Sequence, residues 1–568
     1  MKTRSALLLG CLVFVVAIFA AFYLGYRFVS RSAVTTVSND SWLVLDLNGE
    51  VTDYNEIEAP EFWGLNNPGI REICQRIRHA ADDGRIKGIV IKPGAAMIGY
   101  ANLNEIAAAL KDFKASKKPV LAHGEILTQR DYLLCAMADK VNMDPTASGG
   151  LILEGVAANV LFYKEALDKL GIKMHVMQAG EFKGSGEPYI QTSLSKGTED
   201  NLRKVLKSRY DLIQADIAKY RHLDSTAVKG VFENRPDYII NAKEALRYGL
   251  IDQVSTWDEF AFANKIDQDN CVSVRHYGSE PSISGSPAKI AVLNLTGNIA
   301  PSEGFESQGV ISYKKVDKVL DDLAKDPTLK ALVLRVNSPG GSATESELIY
   351  QRLQELKVPV VVSMGGMAAS GGYYISCAGD YIFADPQCIT GSIGVLMALP
   401  EAVGLGNKLG LDSQTLSYGK YASFGSILEP YDPELLNSLK RNSEAVYTEF
   451  KQRVADARKF KPEQLAQVTE GRVFSAADAK TNGLIDEVGG LDAAVKKAAA
   501  LAGVTKYSTQ QYPKKISFFE LMREGGFFRM ASNLLTARKL SPEERLREYL
   551  ERTFVTRQWL FFCPFKLD

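Results

Sequence analysis

Apolar positions along the chain form three patterns, each predicting a different kind of element. The first is an unbroken run. From Ala6 to Tyr26 no residue carries a charge, and a helix of that length covers a hydrocarbon core of about 30 Å. Lys2 and Arg4 precede the run, and Arg27 and Arg31 follow it. It continues through Phe22, Tyr23 and Leu24 without a small-x-small cleavage site. It therefore reads as an uncleaved anchor over residues 1–30 and not as a signal peptide. Leu8-Leu9-Gly10-Cys11 looks faintly like a lipoprotein box, but the apolar stretch does not end at the cysteine. A short basic tail ahead of a very long segment fits the N-terminus inside and the bulk of the chain outside the cytoplasm.

The second pattern is a short, nearly continuous apolar run of the kind a buried parallel strand shows, and the third is apolar spacing of three and four, as on one face of a helix. They alternate. In the later part of the chain, Lys330 to Val336 reads as a strand, Glu345 to Leu356 as a helix and Pro359 to Ser363 as a strand. Gly371 to Ala378 reads as a short helix and Tyr381 to Ala384 as a strand. Glu434 to Lys459 carries Leu435, Leu436, Leu439, Val446, Phe450 and Val454 at helical spacing, which predicts a long amphipathic helix. Repeated β-α-β crossovers predict an α/β fold with a largely parallel sheet.

The pattern also repeats itself. Ile86-Lys-Gly-Ile-Val-Ile91 matches Leu329-Lys-Ala-Leu-Val-Leu334, Asp144-Pro145 matches Asp385-Pro386, and Gly249-Leu-Ile-Asp252 matches Gly483-Leu-Ile-Asp486. The separations are 243, 241 and 234 residues, a drift expected of a tandem duplication with small loop changes. The expected organisation is an anchor (1–30), a first repeat (42–255), a linker (256–288), a second repeat (289–505) and a C-terminal tail (506–568).

Composition removes several classes of function. The 568 residues hold 67 basic and 67 acidic side chains, so the basic excess on which phosphate binding depends is missing and no nucleic-acid partner is expected. Seven cysteines without a CxxC argue against a disulfide framework or zinc knuckle. The five histidines include no HxxxH pair, and none follows His276, so neither a metal nor a cofactor is expected.

Chemistry concentrates in Met364-Gly-Gly-Met-Ala-Ala-Ser370-Gly-Gly-Tyr-Tyr374, between a strand and a short helix. Ser370 at that helix start has the Gly371 amide beside it as an oxyanion donor, although a serine there is commonly just a cap. The preceding strand runs into Asn337-Ser-Pro-Gly340-Gly341, and parallel strands open their carboxyl ends on one edge. Amides of Gly340 or Gly341 are then candidates for the second donor. No histidine is available in this repeat as a base. At the position matching Ser370 the first repeat has Gln129, but it offers Gly180-Glu-Phe-Lys183, whose lysine aligns with Ala422 in the second repeat. Each repeat lacks what the other keeps. An ordinary lysine, titrating near 10.4, is neutral only about one part in a thousand at pH 7.4, so Lys183 needs burial to serve as a base. Taken alone it reads as a solvated surface lysine.

With Gly180-Glu-Phe-Lys183, Asn337-Ser-Pro-Gly-Gly341, Gly365-Gly-Met-Ala-Ala-Ser-Gly-Gly372 and Thr390-Gly-Ser-Ile-Gly394 in this order, the chain resembles the signal peptide peptidase A (protease IV) family in its long, duplicated form. The likeness covers roughly Trp42 to Gly503. It implies a tandem crotonase/Clp-protease-like fold preceded by one transmembrane helix, and a serine endopeptidase with Ser370 as nucleophile and Lys183 as general base. It further implies a bowl-shaped homotetramer at the bacterial inner membrane, with the catalytic bulk on the periplasmic side and apolar remnant signal peptides as substrates. Two rivals share the glycine turns: a crotonase-type acyl-CoA enzyme and a non-catalytic membrane scaffold. The last sixty or so residues, with Phe518-Phe519, Phe527-Phe528 and Leu560-Phe-Phe562, fit the family pattern poorly, and contact with a membrane surface is the one role their aromatics suggest.

Overall fold

A computed structural model describes residues 37–58, 68–278, 288–301, 309–422, 424–517 and 560–562. The expected anchor over residues 1–30 lies outside them, as do Phe518-Phe519 and Phe527-Phe528. Among the described residues no helix is long and apolar enough to cross a membrane.

Two parallel sheets with the same strand order form the frame. The first runs Gln253–Val254, Lys140–Met143, Val120–Gly124, Ile86–Ile91, Ser41–Leu45, Cys271–Ser273. In the second, Glu487–Val488, Tyr381–Ala384, Val360–Ala369, Leu329–Ser338, Lys289–Thr296 and Ser508–Tyr512 occupy the equivalent places. The duplication seen in sequence spacing is thus a duplication of topology. The central strands of each sheet are buried along most of their length because helices cover both faces. In Ile86–Ile91 only Lys87 is exposed, and in Leu329–Ser338 only Lys330 is exposed. Residues 257–273, which fall in the stretch read as linker, contribute the helix Trp257–Ala263 and an edge strand to the first half. The start of the C-terminal stretch likewise supplies the edge strand Ser508–Tyr512 to the second.

The predicted elements of the second half are present with shifted ends. The strand expected over Pro359–Ser363 runs on to Ala369, through Gly365 and Gly366. Those glycines do not make a turn. A Cβ at Gly365 would stand 3.3 Å from the Arg335 guanidinium and 3.4 Å from the Asn337 side chain, so a larger residue would have to push these side chains aside by a few tenths of an ångström. The long amphipathic helix spans Pro433–Arg458, with Leu435, Tyr447, Phe450 and Val454 buried.

The halves are joined in two ways. A small second sheet takes Lys173–Ala179 from the first half and pairs it antiparallel with Val395–Glu401 from the second, in register from Lys173↔Glu401 to Ala179↔Val395. The second junction is a buried charge cluster. The Arg335 guanidinium, 1% exposed, reaches Asp53 at 3.3 Å and Glu105 at 3.4 Å, both from the first half, and Ser363 Oγ at 3.0 Å. Glu105 also accepts from the Leu491 amide (2.7 Å), and Asn104 donates to Asp385 (2.9 Å). Burial alone would pull the Arg335 pKa down, but Asp53 and Glu105 outweigh it and hold it above the usual value. Burial pushes Asp385 up to about 8, so it sits in the cluster as the neutral acid near neutral pH.

This has a consequence for stability. An unfolded aspartate releases its proton near 3.9, while native Asp385 holds it to about 8, so between those values the native state binds the extra proton. The stabilisation is complete below about pH 4 and is lost as pH rises toward 8, with a slope of roughly 1 kcal/mol per unit. Asp385→Asn keeps the acceptor oxygen for Asn104 and the Gln387 amide and removes the titration. Urea unfolding between pH 5 and 8 is expected to give a flatter stability profile for the variant; parallel profiles would refute the assignment.

Candidate active site

Ser370 closes the Val360–Ala369 strand and opens the helix Gly371–Ser376. Its backbone sits at φ 55°, ψ −117°, a conformation L side chains rarely adopt. The strain is held by two hydrogen bonds. The Ser370 amide donates to the Gly391 carbonyl (2.8 Å), and its carbonyl accepts from the Tyr374 amide (2.8 Å). Strained residues of this kind collect at functional sites because the surrounding fold over-determines them.

Lys183 arrives from the other half. The Lys173–Ala179 strand is fixed by its pairing with Val395–Glu401, and after it the chain turns at Gly180, φ 108°. The Phe182 amide donates to the Glu470 carbonyl (2.6 Å) and the Lys183 amide to the Gly180 carbonyl (3.2 Å). Gly471 presses against this turn at φ 81°, where a Cβ would stand 2.5 Å from the Lys183 nitrogen. Lys183 is 1% exposed. Its Nζ lies 2.7 Å from Ser370 Oγ, 2.8 Å from the Ser392 carbonyl and 3.0 Å from Ser392 Oγ. All three are neutral oxygens. The two residues meet within one chain, 187 positions apart.

The glycine turn lies on the other side of Ser370. Gly340–Ser342 forms a short strand against Ile299, and a Cβ at Gly341 would come within 1.9 Å of the Ile299 carbonyl oxygen, so only glycine fits there. The Gly340 amide donates to Ser338 Oγ (3.1 Å). Of the two candidate donors in this turn, Gly341 is therefore the one that Ser338 does not engage. Its nitrogen lies 3.2 Å from where a Cβ on Gly371 would be, so the Gly341 and Gly371 backbones share one small space beside Ser370.

Matching positions of the opposite halves are built differently. Gln129 is the first residue of the helix that Thr128 caps, whereas Ser370 itself holds the cap position of its helix; the Gln129 side chain donates to the Gly155 carbonyl (3.0 Å) and to Tyr100 Oη (2.7 Å) and accepts from the Gly155 amide (2.8 Å). Those bonds tie a loop down and leave no nucleophile. Ala422 lies exposed in an irregular stretch and belongs to no strand. Sequence reasoning missed two residues of the site, Ser392 and Gly471. Thr390-Gly-Ser-Ile-Gly394 had stood out as a motif, and its serine is the residue that holds the lysine amine.

The Clp protease profile matches residues 311–389, so this part of the second half is Clp-protease-like. The chain belongs to peptidase family S49, whose profile matches residues 112–270 and 352–505, one segment in each half. Protease 4 of Salmonella typhi is 31% identical over 514 residues, covering 85% of this chain and 82% of its own length. Protease 4 of Haemophilus influenzae is 29% identical, covering 82% and 80%. The chloroplastic serine protease SPPA of Arabidopsis thaliana is 27% identical, covering 88% and 74%.

Because Gly471 is the residue against which the lysine turn is built, Gly471→Ala is expected to shift Lys183 and lower peptidase kcat by about tenfold or more. Gly84→Ala, with nothing within 4 Å of the added carbon, is the control and should retain full rate. Equal kcat in the two variants would show that the site does not depend on the Lys183 position.

Proposed function

We propose that this peptidase is a membrane-anchored serine endopeptidase working through a Ser370/Lys183 dyad. The observation that carries the reading is the 2.7 Å approach of Lys183 Nζ to Ser370 Oγ, with Ser392 holding the amine from two further directions. That separation lies within general-base reach. The mechanism requires the uncharged amine, and the burial of Lys183 works against a charge there. The amine then donates to Ser392 and turns its lone pair to the Ser370 hydroxyl.

Lys183 takes the hydroxyl proton as Ser370 Oγ attacks the peptide carbonyl, and the carbonyl oxygen gains the negative charge. The Gly341 and Gly371 amides stabilise that oxyanion. Gly371 suits this role because first-turn amides of a helix lack intrahelical acceptors. As the tetrahedral intermediate collapses, the C–N bond breaks and the Lys183 ammonium returns its proton to the leaving amine. The neutral lysine next deprotonates a water molecule, which attacks the acyl-enzyme and releases Ser370.

The substrates in this reading are apolar, extended peptides left in the membrane after protein export. The anchor at residues 1–30 holds the enzyme at the bacterial inner membrane with its catalytic bulk on the periplasmic side, and the Clp-like halves assemble as a homotetramer. The charge-free run Ala6–Tyr26 supports the anchor, and the full-length relatives named Protease 4 support the kind of enzyme.

A fluorophosphonate is expected to label the wild-type chain at Ser370 and to leave Ser370→Ala unlabelled. Lys183→Met preserves side-chain length without a proton acceptor, and kcat on an apolar reporter peptide should fall by about a thousandfold or more with KM little changed. Near-wild-type turnover in either variant would sink the dyad.

A further inference from the structure

In the first half one extended segment is left without a partner. From Ala157 to Tyr163 exposed and half-buried residues alternate one for one, as along a strand with two unlike faces. Residues 156–162 nevertheless join no sheet and make no backbone hydrogen bond among the described residues. Their counterpart in the second half is Val395–Glu401. The seven-residue helices that follow, Lys164–Leu170 and Val403–Leu409, both close on a left-handed glycine, Gly171 and Gly410. The Tyr163 amide donates to the Pro188 carbonyl as the Ala402 amide does to that of Ile427, and every one of these positions lies 239 residues from its match.

The glycine strand has a counterpart too. Helix Tyr100–Lys114 matches Ala343–Gln354, and Ile98 pairs with Val51 as Gly341 pairs with Ile299. Met97-Ile98-Gly99 thus stands where the second half has Gly340-Gly341-Ser342. Among the described residues Gly94–Ile98 pairs only with Asn48–Val51, which leaves its other edge open. In the second half the place between the two walls takes a strand, Leu560–Phe562, antiparallel to Gly340–Ser342 and level with Leu396. In the first half no described strand lies there. Gln129, at the position of Ser370, joins the feet of the two walls through its bonds to Gly155 and Tyr100. The base of the gap is therefore set by an amide, which cannot attack a carbonyl as a serine hydroxyl can.

Open strand edges take up an extended peptide through main-chain hydrogen bonds, and the side chains around them select its sequence. Here the selection is against charge. Neither Pro93 to Leu103 nor Gly155 to Tyr163 contains a charged residue. Met97 and Leu161 are 62% and 61% exposed, so both walls offer apolar surface. A charge on the peptide would lose hydration between them and gain no partner. Resting on the peptidase reading above, we propose that the first half is a second peptide-binding cleft, which grips an extended, uncharged segment of substrate between Gly94–Ile98 and residues 156–162 and does not cut it. One half holds a peptide, and the other hydrolyses it.

The test follows amide hydrogen exchange in the full chain carrying Ser370→Ala, mixed with a capped ten-residue peptide of Leu, Ala and Ser. At saturating peptide, exchange at residues 97–99 and 156–162 is expected to slow by about tenfold, and a peptide with Glu at each Leu position should give no slowing. Met97→Asp and, separately, Ala157→Asp place a charge at an exposed position of either wall. Each should raise the peptide concentration needed for half the protection by about tenfold or more. Unchanged exchange at both segments would overturn the proposal, and so would protection that these charges do not weaken. Protection that appears without peptide and grows with protein concentration would mean that a second copy of the chain fills the gap, which overturns it as well. The readout needs no turnover, so a failure of the Ser370/Lys183 dyad would show in the fluorophosphonate experiment and leave these exchange rates as they are.

Discussion

The antiparallel seam between Lys173–Ala179 and Val395–Glu401 is the constraint on which the site depends. A lysine on one half and a serine on the other can react only if their atoms are held within a few tenths of an ångström. Two halves joined by a flexible chain would not achieve that. Seven paired residues fix the lysine-bearing strand to Val395–Glu401 of the second half, so its position is set by main-chain hydrogen bonds and not by linker length. From there the turn at Gly180, the contact with Gly471 and the two oxygens of Ser392 bring the amine to 2.7 Å from Ser370 Oγ.

The charge cluster behind the seam serves the same end at a cost. Burying Arg335 with Asp53 and Glu105 gives little net stability compared with apolar packing, because desolvation opposes the attraction. What it provides is directionality. Asp53 receives both Arg335 and the Asn337 amide (3.1 Å), and Asn337 Oδ1 accepts from the Met367 amide (3.2 Å). A carboxylate from the first half thus holds the two strands that end in the glycine turn and in Ser370. A misaligned pairing of the halves would leave these charges unpaired, so the native alignment is strongly preferred.

Duplication explains why a two-part site is economical. Both halves retain the parallel sheet and the helix that starts at the end of its third strand, but each has put that end to a different use. At Gln129 the side chain stitches Gly155 in place; at Ser370 the backbone itself bonds Gly391 and leaves the hydroxyl for Lys183.

The local elements were legible from the sequence because they follow from local physics. Apolar runs such as Ile86–Ile91 and Leu329–Leu334 predict buried parallel strands, their repeat at near-constant spacing predicts the duplication, and the complementary losses at Gln129 and Ala422 single out Ser370 and Lys183. The extension of the serine strand through Gly365 and Gly366 was not legible, since it answers to the close approach of Arg335 from another strand. Ser392 and Gly471 were hidden for the same reason: their roles exist only where three separate loops converge on Lys183. Nor could pattern show that Leu560–Phe562 completes a sheet with residues some two hundred positions earlier. Side-chain periodicity reports which face of an element is buried. Which strand edge lies next to which is decided by tertiary packing, where hydrogen bonds between distant backbones have no signature in the residues that make them.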